Sequence, residues 1–200
     1  MVMTISYHTS SPLEEAVKSR FKEANLLSEY TKAMIVRSQA LELASHFGLD
    51  REQVSTAALL HNISRLLPEQ EYLHIAEDCG LEILPEERQN PSLLHQKISR
   101  IIAVEQFNIS DKEVLNAIAC HTTLRPSATL LDKILFLTTK QHNDNLKDLV
   151  FNQQKAPLTI QELNTTVYSC LFNLLHSPKV GEIIHPLAMA ALGDLQPQAS

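Results

Sequence analysis

Residues 57 to 68 read Ala57-Ala58-Leu59-Leu60-His61-Asn62-Ile63-Ser64-Arg65-Leu66-Leu67-Pro68. Apolar side chains bracket a His-Asn pair, and the run stops at a proline that cannot continue a helix. Asp50 can cap free amides, and Gln53 three residues on completes a capping-box-like pattern. The pattern predicts a helix that opens near Asp50, carries His61 and ends near Pro68. On it Arg65 lies four residues from His61 and three from Asn62, close to both.

The same signals recur on either side. Ser11-Pro12-Leu13-Glu14-Glu15 combines a capping residue, a first-turn proline and acidic residues, which predicts a helix to about Leu26. Leu41, Ala44 and Ser45 recur at helical spacing before Gly48, so a second helix should begin near Ser28. Further helices are predicted at 69–79, 91–107, 111–121, 127–141, 144–153 and 158–176, with breaks at Gly80, Pro85, Pro126 and Pro157. Beyond Pro178, Ile183-Ile184 and Leu187 to Leu192 read as a short docking helix, and Leu195 to Ser200 as a frayed tail.

The composition agrees with an all-α fold. Four glycines and no tryptophan in 200 residues, with 44% hydrophobic content, favour one helical core over a sheet that needs many tight turns. With no linker-like stretch, the chain reads as a single domain: an N-terminal extension at 1–27, a core at 28–142 and a C-terminal helical extension at 143–200. A formal charge of -6 argues against general nucleic-acid binding. Cys79, Cys120 and Cys170 are scattered, as expected in a reducing compartment. A thiol nucleophile at Cys120 is disfavoured, because its neighbour His121 points elsewhere on a helix. No apolar run approaches the roughly 20 residues that span a bilayer, so the expectation is a cytoplasmic protein without membrane association.

Six segments add a family resemblance. They are Ala40 to Asp50, Leu60 to Pro68, Leu93-Leu94-His95-Gln96-Lys97-Ile98, Val114 to Ile118, His121-Thr122-Thr123-Leu124-Arg125-Pro126 and Leu130-Leu131-Asp132-Lys133-Ile134. Their order and spacing over residues 29 to 142 resemble the YqeK family of HD-domain proteins. The resemblance implies an all-helical hydrolase that splits dinucleoside tetraphosphates symmetrically with a two-iron centre. That centre is built from a His on the first core helix, a His-Asp pair, two further His and a distal Asp. Carried over by position, those ligands fall on Lys32, His61, Asn62, His95, His121 and Thr139.

Three of these six are not ligands of the family type. Asn62 offers a neutral carbonyl where a carboxylate would bridge metals, Thr139 is a poor neutral ligand, and an ammonium at Lys32 has no lone pair at neutral pH. Any one histidine is most simply a packed side chain, but His61, His95 and His121 all fall on ligand positions and should share one pocket. Arg65 and Arg125 are candidates for holding phosphate, Arg125 because His-Thr-Thr-x-Arg resembles the family's His-Thr-Thr-Gly-Arg loop. Lys97, Lys32, Thr122 and Asn62 complete the candidate ligand-binding set. Lys133 and Lys140 are further basic candidates near the site, each most simply a solvated surface charge. Leu124, standing where the family has Gly, alters the loop if that position needs positive φ.

The first reading is a YqeK-like pseudoenzyme, without a cofactor, that senses a nucleotide or other phosphate-containing small molecule or acts as a regulator or scaffold. The first alternative is a working nucleotide phosphohydrolase with one divalent transition metal on His61, His95 and His121. A second alternative is a structural subunit that binds a protein partner.

Overall fold

The computed structural model describes residues 11–140, 159–176 and 183–196. Within them the chain is helical and contains no strand. The helices are α1 (Pro12–Glu23), α2 (Leu27–Ser45), α3 (Arg51–Leu60), α4 (Tyr72–Asp78), α5 (Pro85–Gln89), α6 (His95–Phe107), α7 (Lys112–Cys120), α8 (Leu130–Thr139), α9 (Ile160–His176) and α10 (Pro186–Leu195). Short 3-10 turns occupy Ile63–Leu66, Glu69–Glu71 and Pro91–Leu94. The helix expected at 144–153 lies outside the described residues, as does the tail beyond 196.

Most helix starts follow from one side chain. The Ser11 hydroxyl accepts the Glu14 amide at 3.2 Å. One Asp50 carboxylate oxygen accepts the amides of Glu52 and Gln53 at 2.8 and 2.9 Å, and Asp111 does the same for Glu113 and Val114. Thr129 and Asp132 cap α8 reciprocally. Gln53 departs from expectation: its side chain does not return to Asp50 but donates to Asp111 at 2.8 Å, tying the starts of α3 and α7 together.

The expected helix from Asp50 to Pro68 is also shorter. It ends at Leu60, with His61 as its C-cap, and continues as a 3-10 turn. The His61 ring Nδ1 lies 2.7 Å from the Ala58 carbonyl. That carbonyl would otherwise accept the Asn62 amide, so the side chain displaces the next α-helical bond.

The core sits where α2, α3, α7 and α8 pack on one another, with α6 against α7. From α8, Leu131, Ile134, Leu135, Phe136 and Leu137 are all buried. Helix α9 packs on α8, and α10 on α9. Truncating a fully buried ring such as Phe136 to alanine should cost about 3–5 kcal/mol through lost burial and a residual cavity. No helix among the described residues is long and apolar enough to cross a membrane.

Candidate functional site

Three helix termini deliver the three expected histidines to one place. His61 ends α3, His121 ends α7, and His95 opens α6. Their rings meet edge to face, with centroids 5.0 Å apart for His61–His121 and again for His95–His121. All three residues are buried.

Each ring is held by the same device. Nδ1 lies 2.7 Å from the Ala58 carbonyl in His61, 2.8 Å from Ser92 in His95 and 2.8 Å from Ile118 in His121. A carbonyl only accepts, so each Nδ1 carries the ring proton and each Nε2 presents a lone pair. The Nε2 atoms of His95 and His121 are 3.2 Å apart, and the Thr122 hydroxyl lies 3.0 Å from His95 Nε2, to which it donates.

The rings are uncharged at neutral pH. Burial is the main cause, lowering His61 to about 4 and His95 to about 4. His121 is pushed well below the ordinary value, first by burial and then by its two neighbours. Nearby positive charge adds to this, since Lys140 acts on all three rings and Arg65 on His61 and His95. Glu29 on α2 has the opposite effect on His61.

The other expected residues are placed less favourably. Lys32 does not enter the pocket: it is exposed and pairs with Glu29 at 2.6 Å, one turn earlier on the same helix. Asn62 adjoins the site, and its Oδ1 is buried without a hydrogen-bond partner. The Thr139 hydroxyl donates to backbone carbonyls of Phe136 at 2.8 Å and His121 at 3.2 Å. Lys97 is engaged elsewhere, by the buried Glu87 carboxylate at 2.7 Å and the Glu82 carbonyl at 2.8 Å. Arg125 forms a two-pronged ion pair with Asp132, at 2.9 Å from Nε and 2.8 Å from Nη2. Arg65 is partly exposed, with a loose 3.9 Å contact to Glu69.

Two features refine the sequence reading. Lys140 is not a solvated charge but half-buried beside the imidazoles, its ammonium donating to the Thr122 carbonyl at 2.9 Å. Its one sequence signal is adjacency to Thr139, the position matched to the distal Asp. The other is the conformation of Leu124, which is fully buried at φ 62°. The loop therefore keeps the left-handed turn that glycine adopts freely, with leucine in it.

This donor set does not fit a two-metal centre. It contains three neutral imidazoles and an amide, while the buried Asp132 carboxylate serves Arg125 and the α8 cap through Oδ2. Among the described residues, no group of three or more His, Cys, Asp or Glu is arranged to hold a metal ion. Cys120 is no nucleophile, because burial raises its thiol far above the ordinary value.

Comparisons with known proteins agree with the fold. The HD domain family model matches residues 31–147. The chain is 35% identical over 153 residues to an uncharacterized protein in the pepC 5' region of Lactococcus lactis subsp. cremoris, covering 76% of this chain and 77% of that protein. It is 30% identical over 110 residues to the symmetrical bis(5'-nucleosyl)-tetraphosphatase of Bacillus subtilis (strain 168), covering 54% of this chain and 58% of that enzyme. The crystal structure of a "predicted HD superfamily hydrolase involved in NAD metabolism" from Clostridium acetobutylicum superposes with a TM-score of 0.78 at 25% identity, over 90% of this chain and 95% of that one.

Proposed function

The chain belongs to the HD-domain family, and from that membership we propose that it is a pseudoenzyme: a regulatory protein that binds a nucleotide or other phosphate-containing ligand without hydrolysing it. One observation carries this reading. The three imidazoles converge, but the positions matched to the family's carboxylates hold an amide at Asn62 and, at Thr139, a hydroxyl donating to the backbone. Phosphoanhydride hydrolysis in such a site needs metal ions to generate hydroxide and to neutralise charge on the transferring group. Nothing anionic in this donor set balances two such ions.

The surrounding charge suits an anion better. Lys140 and Arg65 both act on the imidazoles, so a phosphate group entering between them meets positive potential. The test is isothermal titration with mono- and dinucleotides, alongside hydrolysis of diadenosine tetraphosphate with iron, manganese, cobalt or zinc added. Binding without turnover is expected. Turnover that survives purification and disappears in His61→Ala would replace this reading.

A second reading has its own observation. Facing lone pairs on His95 and His121 form an acceptor-rich spot that one divalent transition metal could satisfy after a small rearrangement of the rings. Elemental analysis of the purified protein separates the two, since stoichiometric metal would favour the second.

A further inference from the structure

Helix α10 is latched at both ends and lightly packed between them. Ahead of it, His185 Nδ1 accepts the Leu187 amide at 3.2 Å, so the ring proton is on Nε2, which donates to Glu87 Oε1 at 3.3 Å. Near its end, Asp194 Oδ2 accepts the Ser127 amide at 2.8 Å. Between these latches α10 packs on α9 and buries only Ala188, Ala191 and Leu192, while Met189 is 51% exposed. Over the same ten residues, α8 buries Leu131, Ile134, Leu135, Phe136 and Leu137. Gly193 weakens α10 further. Ten residues are also fewer than the roughly 12–15 that sustain a helix in water alone, so docking and helix formation are one event.

Undocking strands no charge at the Glu87 end, because that carboxylate keeps Lys97 at 2.7 Å and the Leu84 amide at 2.8 Å when His185 leaves. It does uncover something. His185 and Ala188 close one side of a cavity of about 260 Å³ whose remaining lining includes Thr122, Lys140, Leu171 and Leu174. The Thr122 hydroxyl reaches His95, so the cavity adjoins the imidazoles. We infer that α10 is a releasable strap: it undocks and unfolds as one unit while the core stays folded, opening that side of the cavity and baring Leu171 and Leu174. Elements that move in regulation come from the least stable parts of a fold. The strap controls access, whatever the imidazole pocket binds and whether or not it hydrolyses anything.

The test is native-state hydrogen exchange of the full chain, read by mass spectrometry in increasing, sub-denaturing urea. Amides of residues 187–195 should exchange roughly tenfold or more faster than those of α3 and α8, and with a weaker dependence on urea. Asp194→Ala, at an exposed position, should speed α10 exchange several-fold and leave α3 and α8 unchanged. His185→Asn keeps a capping acceptor but falls short of Glu87, and should act likewise at the other end. In the opposite direction, Gly193→Ala adds a Cβ that meets nothing within 4 Å and favours the helix, so it should slow α10 exchange several-fold. If His185→Asn does not fold, the other two variants decide. Access is read by a thiol reagent on Leu171→Cys in a Cys79→Ser background, against Cys79→Ser alone. Its labelling should rise and fall with α10 exchange through the same variants. Exchange in α10 that matches α8 in rate and urea dependence, latch variants that shift both helices alike, or labelling that stays constant while α10 exchange changes overturns the inference.

Discussion

His95 and His121 face one another through their Nε2 atoms at 3.2 Å, and both rings have their Nδ1 hydrogens on backbone carbonyls. Two lone pairs at that distance repel unless a donor or cation lies between or beside them. The contact is kept because the backbone fixes each ring, and the Thr122 hydroxyl, 3.0 Å from His95 Nε2, supplies the donor beside it. Its effects should show in acid, in metal affinity and in the stability of the surrounding loops.

The acid prediction concerns the three buried rings. Their folded-state pKa values lie below the ordinary 6.5, near 4 for His61 and His95. Between those limits the unfolded chain binds protons that the native state refuses, so stability is full above about pH 6.5 and falls as pH drops toward 4. His61 and His95 each contribute on the order of 3 kcal/mol across that window, and His121 acts in the same direction. Thermal unfolding measured from pH 7.5 to 4.5 should show a steep loss of Tm in the wild type and a shallower one in His61→Gln; parallel curves would contradict the assignment.

Restoring carboxylates tests what the site lacks. Asn62→Asp alone should improve metal uptake little, because one carboxylate cannot balance two ions beside Lys140. Adding Thr139→Asp supplies the second carboxylate, and Lys32→His, at a position exposed on α2, the remaining residue type of the family pattern; elemental analysis of this triple variant should find more metal than in the parent. A folded triple variant with no more metal than the parent would mean that the pocket has changed beyond its ligands.

Leu124 should tolerate neither simplification well. Leaving the left-handed region unstrained gains about 1–2 kcal/mol, but deleting a fully buried leucine side chain loses about 3–5 kcal/mol. Leu124→Gly should therefore be destabilised by roughly 1–4 kcal/mol, and Leu124→Ala by more, because alanine keeps the strain. Urea denaturation of the pair checks the order.

The Arg125–Asp132 pair predicts a large, one-sided effect. Asp132 is fully buried, so Arg125→Ala leaves a carboxylate without its main counter-charge and should cost about 3–5 kcal/mol. The double change Arg125→Met with Asp132→Asn should cost clearly less than the sum of the single changes, giving a coupling that a double-mutant cycle reads directly. Additive losses would show that the pair is not the cause.

Local chemistry made much of this molecule legible in its sequence. Ser11 and Asp50 announce helix starts because a capping side chain acts within three residues of its own position. Family spacing brought His61, His95 and His121 together. What escaped depends on partners seven or ten residues away, beyond the three- and four-residue spacings that a helix makes legible. Lys97 and Arg125 looked available for phosphate because nothing nearby in sequence shows that folding gives them Glu87 and Asp132. The early end of α3 was hidden because a histidine ring, not a proline or glycine, replaces the backbone bond. The short α5 helix was read as a break at Pro85, where proline instead occupies a first-turn position.

The Glu87 site makes the middle of the chain answerable to its last described helix. Burial raises this carboxyl's pKa, but hydrogen bonds from His185, Lys97 and the Leu84 amide outweigh that and hold it below its ordinary value. His185 reaches it from 98 positions away. Clipping the chain before α10 would thus do more than remove a surface helix, because it withdraws one support from a carboxylate sealed in the protein. Damage at the C-terminal end would be felt at the start of α6, where Lys97 and His95 stand two residues apart, and so at the imidazoles themselves.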